Sequence, residues 1–310
     1  MIYIQHLQAF AHLQDLGRFG LRSLGIGHSG AMDSLALQAG NLLLQNANDL
    51  PALEIALGSL TVTFDCNTPF CLTGALCEAE LDGLPIFPYW RYTAKARQTL
   101  KIKRIIQGNY VYLCVAGGFS VPKVLGSCST NLQAGFGGFQ GRLLKSGDHL
   151  ATGRRDTEMS PLGIEPIPFT RKIYATASSE YEAFSPESQR LFWQQSWTLQ
   201  RNSNRIGYRF SGSQKLTLNS PLEMLSHAVP IGTVQVPPDG QPIVLMADSQ
   251  TTGGYPKIAC IIQTDIGRLA QIPFGKAVCF ELVSHQQARE LYQRDQDYLT
   301  YVRRKANEVR

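Results

Sequence analysis

The stretch Ala79-Glu-Leu-Asp-Gly-Leu-Pro-Ile86 puts an Asp-Gly pair between two short apolar runs. Both central residues of a tight hairpin turn need positive φ, which Asp tolerates and Gly adopts freely, so the pair predicts a β-hairpin. Runs of similar kind lie on either side of it: Val62-Thr-Phe64, Phe70-Cys-Leu72, Leu100-Lys-Ile-Lys103, Tyr110-Val-Tyr-Leu-Cys-Val-Ala116 and Ile243-Val-Leu-Met-Ala247. Each is rich in β-branched or aromatic residues and bounded by Gly, Pro, Asn or Asp, as strands are. Long helices do not alternate with them. The chain is therefore expected to be mainly β, a barrel or sandwich with a few helices.

Two segments carry a helical period instead. One is expected from about Met32 to Leu44, with Ser29 or Gly30 at its start and Asp33 in its first turn. The other is a C-terminal helix from Ser284, where Ala288, Leu291, Tyr292, Leu299, Val302 and Ala306 recur near the helical period. Arg303, Arg304 and Lys305 near its end read as cations on a solvated face that complement the helix dipole. Between Ala151 and Thr170 the chain turns polar and proline-rich, starting with Gly153-Arg-Arg-Asp156. The expected organisation is an N-terminal β-rich lobe over 1–155, a C-terminal lobe over 156–283 and the helix over 284–310. A faint internal echo joins Gly141-Arg-Leu and Gly267-Arg-Leu, each read as a turn followed by a glycine turn into a strand.

Composition excludes several classes. The 310 residues are 44% hydrophobic and only 17% charged, with 28 glycines and 16 prolines, against roughly 25% charge in an ordinary soluble chain. Scarce charge suits a protein that covers part of its surface with partners. No run approaches about eighteen apolar residues, and the N-terminus lacks the basic and apolar regions of a secretory signal. The seven cysteines form no C-x-x-C pair and mostly sit in apolar runs, so a cytoplasmic protein with reduced thiols and no zinc site is expected. A net charge of +5 without a basic, aromatic-interleaved block does not point to nucleic acid.

Gly25-Ile-Gly-His-Ser-Gly30 matches G-x-G-x-x-G, but Asp15–Leu24 before it is loop-like, and a dinucleotide fingerprint requires a strand there. Glycines ahead of a helix leave N–H groups free for an anion, with Ser29 and Arg22 nearby. Tight turns alone explain them equally well. The densest polar region is Gly232-Thr-Val-Gln-Val-Pro-Pro-Asp-Gly240 followed, after the strand at 243–247, by Asp248-Ser-Gln-Thr-Thr-Gly-Gly-Tyr-Pro-Lys257. A carboxylate, two amides, hydroxyls, a phenol and an ammonium around glycines fit a small-ligand site. They fit equally a surface loop that caps its own backbone. Gly135-Phe-Gly-Gly-Phe-Gln-Gly141 is too short for a linker and reads as a tight loop between strands.

Nine short motifs follow one another in family order: Asp15-Leu-Gly-Arg18, Gly25-x-x-x-Ser-Gly-Ala-Met-Asp33, Leu53-Glu54, Leu72-Thr-Gly-Ala75, Val115-Ala-Gly-Gly118, Val124-Leu-Gly-Ser127, Gly137-Gly-Phe-x-Gly-Arg142, Gln235–Gly240 and Asp248–Lys257. In this the chain resembles the allophanate hydrolase subunit 2 family, which includes KipA and the 5-oxoprolinase C subunit. The same family is also called the biotin-dependent carboxyltransferase family. Cys128 stands where relatives often have Arg, and Ser178-Ser179 where they often have Gly-Pro. Ser203-Asn-Arg-Ile-Gly207 keeps the family's Ser-x-Arg-x-Gly.

The resemblance implies a cyclophilin-like β-barrel in the C-terminal lobe. It also implies a direct complex with the KipI-like B subunit of 5-oxoprolinase, and partnership with the A subunit of that enzyme. Such a complex opens 5-oxoproline, a small-molecule substrate, to glutamate with ATP and Mg, held at a shared interface, through a phosphorylated intermediate. Side-chain chemistry then nominates Lys257, Gln250, Asp248 and Gln235 for catalysis, and Ser29, Asp33, Arg205, Thr251, Thr252 and Tyr255 for substrate or phosphate binding, with no metal ligands assigned. A second reading is a carboxyltransferase moving carboxylate from biotin to an amide, as in urea carboxylase. None of the five methionines precedes Lys, so biotin is not attached to this chain on that reading. A third is a non-catalytic antagonist of a KipI-like kinase inhibitor.

Overall fold

A computed structural model describes residues 1–153 and 158–309. The expected division at 155/156, and Arg154 and Arg155 with it, lie outside the described residues, as does Arg310. The chain forms two units. One comprises Met1–Arg18, Ser29–Pro168 and Asp295–Arg310, and the other Phe19–His28 and Phe169–Arg294. The chain is mainly β, with four helices among the described residues.

In the first unit the strands are β1 (Ile2–Gln14), β2 (Ala52–Phe64), β3 (Thr68–Leu81), β4 (Leu84–Ile86), β5 (Trp90–Ala94), β6 (Thr99–Val115), β7 (His149–Leu150) and β8 (Leu162–Gly163). They form one sheet ordered β7-β1-β2-β6-β3-β5-β8, with β4 paired to β3. The Asp-Gly hairpin forms as expected: Asp82 and Gly83 take φ of 47° and 83°, and Leu81 pairs with Leu84. Along the first residues of β6, Leu100 and Ile102 are buried while Lys101 and Lys103 face water, the period-two pattern of a half-covered strand.

From Tyr110 to Val115 every residue of β6 is buried. Helix α1 (Ser34–Leu43) packs on this part of the sheet. Gly40 permits its close approach, because a Cβ there would lie 2.6 Å from Cys114 Sγ and 2.9 Å from Thr73 Oγ1. The helix starts two residues later than expected: Asp33 is its N-cap, accepting from the Ala36 amide at 3.1 Å. Ser29 and Gly30 instead lie in the irregular segment ahead of the helix, at φ 56° and 87°. The Gly135–Gly141 segment is a run of tight turns between strands and borders a cavity of about 590 Å³ with Phe136 and Phe139.

The second unit contains β9 (Lys172–Ala177), β10 (Trp197–Leu199), β11 (Gly207–Ser211), β12 (His227–Ala228), β13 (Thr233–Gln235), β14 (Ile243–Leu245), β15 (Thr252–Gly253), β16 (Lys257–Ile261) and β17 (Ala277–Leu282). Seven of them close a barrel in the order β10-β11-β14-β13-β16-β9-β17, and β12 pairs with β15 apart from it. Trp197, Phe210 and Phe280 are buried in this unit, and the Phe280 ring stacks on Phe192 at 5.0 Å. Phe192 belongs to α2 (Pro186–Gln194), which Ser185 caps through the Ser188 amide with Pro186 at the first helical position.

The expected Gly-Arg-Leu echo fails locally. Gly267–Leu269 lies inside α3 (Gln263–Ala270) rather than in a turn. The C-terminal helix α4 (His285–Glu308) is present. Its buried stripe is Asp295, Leu299, Val302 and Ala306, while Tyr292 is exposed and Ala288 and Leu291 only half-buried. Arg303 and Arg304 face solvent, and Arg304 and Lys305 both reach Glu308.

Candidate functional site

The polar residues of the second unit converge because β13 lies between β14 and β16. Gln235 pairs with Lys257 across antiparallel strands, so the two side chains share a face. Both are buried, at 2% and 7% exposure. A lysine this deep needs partners. Lys257 Nζ donates to Glu180 Oε2 at 2.8 Å and hydrogen-bonds His227 Nε2. The main-chain amide of Lys257 also donates to Glu180 Oε2, at 3.2 Å.

Glu180 follows β9, whose Ala177 pairs with Ala259 of β16. Burial alone would raise the Glu180 pKa. Hydrogen bonds from Lys257 and Ser179, together with the charge of Lys257, outweigh that and hold it below the usual carboxylate value. Gln235 Nε2 is buried with no hydrogen-bond partner among the described residues. The amide lies against Gly253, where a Cβ would come within 2.5 Å of Nε2. Gly253 itself pairs with His227 in the β12–β15 ladder.

Arg22 reaches the other end of that ladder. Its Nη2 donates to Val229 O at 2.5 Å and to Gln250 O at 2.9 Å, and its buried Nη1 has no partner among the described residues. Burial lowers its pKa from the usual value. Ser249, beside Gln250, is 1% exposed and its hydroxyl likewise lacks a partner. The short ladder is thus flanked by Lys257 and Gln235 at one end and by Arg22 at the other, all of them hydrogen-bond donors.

Other nominated residues are placed differently. Arg205 and Asp248 form a two-point ion pair, Nε to Oδ2 at 2.7 Å and Nη2 to Oδ1 at 2.9 Å, so each largely neutralises the other. Gln250, Thr252 and Tyr255 are exposed or nearly so, and Thr251 is half-buried with its carbonyl accepting from the Val229 amide. Ser29 and Asp33 belong to the first unit, Asp33 as the cap of α1 and Ser29 with a buried hydroxyl lacking a partner among the described residues. Glu180 and His227 were not nominated. Glu180 reaches Lys257 through strand pairing across 77 residues, which no local motif encodes.

Among the described residues no three His, Cys, Asp or Glu side chains gather to hold a metal ion. Asp248 is committed to Arg205 and Glu180 to Lys257, so the donor set around this ladder does not suit Mg. No described helix is long and apolar enough to cross a membrane.

The first unit holds a polar group of another kind. Asp15 Oδ1 accepts from Ser127 Oγ and Ser129 Oγ, each at 2.6 Å, and from the Gly17 amide at 2.8 Å, while Oδ2 accepts from the Cys128 amide at 2.6 Å. Burial, then the charge of Asp15, raises the Cys128 pKa. Nearby in sequence, His12 Nε2 meets Glu54 Oε1 at 3.2 Å, and Tyr112 donates to Glu54 Oε2 at 2.8 Å.

A family profile described as "Carboxyltransferase domain, subdomain A and B" matches residues 24–282. The chain belongs to this carboxyltransferase-domain family. It is 54% identical over 308 residues to the 5-oxoprolinase C subunit of Haemophilus influenzae, covering 99% of each chain. It is 48% identical to the protein of the same name from Escherichia coli, covering 96% of each. Urea amidolyase of Saccharomyces cerevisiae shares 28% identity over 91% of this chain but only 17% of its own length. The crystal structure of K. lactis urea amidolyase superposes with a TM-score of 0.90 at 25% identity, over 97% of this chain and 20% of that one. The family resemblance drawn from nine motifs is borne out, as is the mainly β architecture with a closed barrel.

Proposed function

We propose that this chain is one component of an ATP-dependent 5-oxoprolinase that works with the A subunit of that enzyme and with its KipI-like B subunit. Two relatives that match it end to end are named as the C subunit of a 5-oxoprolinase. The observation that carries the reading is a cluster of buried donors left unspent: Gln235 Nε2, Arg22 Nη1 and an N–H of Lys257. 5-Oxoproline offers acceptors of matching kind, a carboxylate and a lactam oxygen. The bidentate pair with Asp248 takes Arg205 out of that role, and Arg22 replaces it.

Phosphorylation of the lactam oxygen makes the ring carbon an electrophile that water attacks. When the C–N bond breaks, the ring nitrogen leaves as an amine and takes up a proton, and the carbon is left as a carboxyl phosphate that a second water hydrolyses to glutamate and inorganic phosphate. Lys257, an ammonium held by Glu180 and His227, is the residue to supply that proton, and Gln235 orients the amide. ATP and Mg belong to the assembled complex in this reading, and no residue of this chain is given the phosphoryl-transfer step. The test is to purify the chain together with those two partners and follow ADP and glutamate release from 5-oxoproline. No turnover in the full mixture overturns it.

The family profile and the urea amidolyase relatives favour a second reading, carboxyl transfer from biotin to an amide. The chain lacks a Met-Lys biotinylation signature, so the biotin carrier would be another protein. Turnover that depends on a biotinylated carrier and an amide would select it. Complex formation without turnover on either substrate would select the non-catalytic antagonist.

A further inference from the structure

We propose that His227 is the positioning residue that aims Lys257, and that it makes the site competent only while its imidazole is neutral. The inference rests on Lys257 as the proton-donating cation of the proposed function.

His227 Nδ1 lies 3.1 Å from the carbonyl oxygen of Leu225. A carbonyl only accepts, so Nδ1 carries the hydrogen, and a neutral ring then presents the lone pair of Nε2. That lone pair faces Lys257 Nζ. An ammonium has three N–H groups and no acceptor. One goes to His227, one to Glu180 Oε2, and the third is left for a ligand. Two fixed partners define where the third N–H points, which a flexible lysine stem does not do alone.

Strand pairing fixes the arrangement. His227 is held opposite Gly253 in the β12–β15 ladder, and Lys257 opposite Gln235 in the barrel. His227 is half-buried, so solvent protons reach it. The titratable groups meeting it are Lys257 directly and Glu180 through Lys257, and the paired strand Thr252–Gly253 carries none. Protonation at Nε2 replaces the lone pair with an N–H directed at an ammonium. The hydrogen bond is lost, like charges face each other, and the third N–H of Lys257 loses its aim.

The test uses the assembled complex and the pH profile of its kcat. H227A is expected to lower kcat at least tenfold, short of the roughly hundredfold or more that loss of the proton donor itself costs. H227Q keeps an acceptor near the Nε2 position that does not protonate. It is expected to restore roughly a third or more of the turnover at alkaline pH and to abolish the acid-side fall in kcat. Wild-type kcat in H227A, or an unchanged acid limb in H227Q, overturns the proposal.

A complex inactive on 5-oxoproline overturns the functional reading instead, and the His227–Lys257 link is then read on the free full-length chain. There, 15N shifts of the ring are expected to report a protonated Nδ1 and an accepting Nε2. The Nε2 signal is expected to move in Lys257→Met. An Nε2–H tautomer, or a signal indifferent to Lys257→Met, overturns the positioning role whatever the reaction proves to be.

Discussion

Asp15 in the first unit and Lys257 in the second each centre a buried polar group, and the two groups are spent differently. Asp15 receives hydrogen bonds from two hydroxyls and two main-chain amides, on both oxygens. Lys257 has two partners for three N–H groups, and the donors Gln235 Nε2 and Arg22 Nη1 beside the same ladder have none among the described residues. A buried donor without a partner costs about 1–3 kcal/mol. Such costs are tolerated where a ligand repays them. The hydrogen bonds at Asp15 thus tie loops of the first unit together, whereas the donors flanking Lys257 are open among the described residues.

The contrast is broken most directly at Asp15. Asp15→Ala should cost about 3 kcal/mol or more of stability, since it strands two buried hydroxyls and two amides. Urea unfolding measures this. An activity loss without a stability loss would make the first group a site after all. Lys257→Met should do the reverse, lowering kcat of the assembled complex at least tenfold while the complex still forms in size-exclusion chromatography.

Gly253→Ala should fall between these. Its φ is not in the left-handed region, but the new Cβ would displace the Gln235 amide. A rise in KM of several-fold, about 1 kcal/mol of binding, is expected with little change in melting temperature. Gln250→Ala should change turnover less than about threefold, because the side chain is exposed and Arg22 uses only its carbonyl.

A pH series gives the smallest effect. The folded-state pKa of Glu180 is lowered. Its contribution to stability is therefore complete above the ordinary glutamate value of about 4.3 and is lost as pH falls through the lower folded value. The urea midpoints of wild type and Lys257→Met should converge in that acid range. A gap that persists there would show that the ion pair is not its source.

Much of this was legible from residues alone. The Asp82-Gly83 turn, the strands around it and the ordered motifs depend on neighbours in sequence, and local chemistry encodes them. The start of α1 was misplaced because Ser29, Gly30 and Asp33 all have helix-starting chemistry, and only the hydrogen bond to Ala36 chooses among them. In the candidate site, the Asp248–Lys257 segment contains the lysine but not the partners that place it. Glu180 and His227 reach it through strand pairing, and Arg205 is withdrawn by a partner 43 residues away. Which polar groups remain open is a property of pairing across the fold, so spacing along the chain does not reveal it.

The first unit also draws on residues far along the chain. Arg91, fully buried, donates to the carbonyl oxygens of Leu43, Ser160, Ala306 and Val309. On a ribosome, synthesis proceeds from the N-terminal side to the C-terminal side. A nascent chain halted before Ala306 holds the sheet, α1 and the Arg91 side chain but lacks two of that guanidinium's acceptors. The first unit to emerge is therefore not the first to be finished. Its completion waits for the whole second unit to be translated, so that truncation near the far end strikes the domain at the beginning.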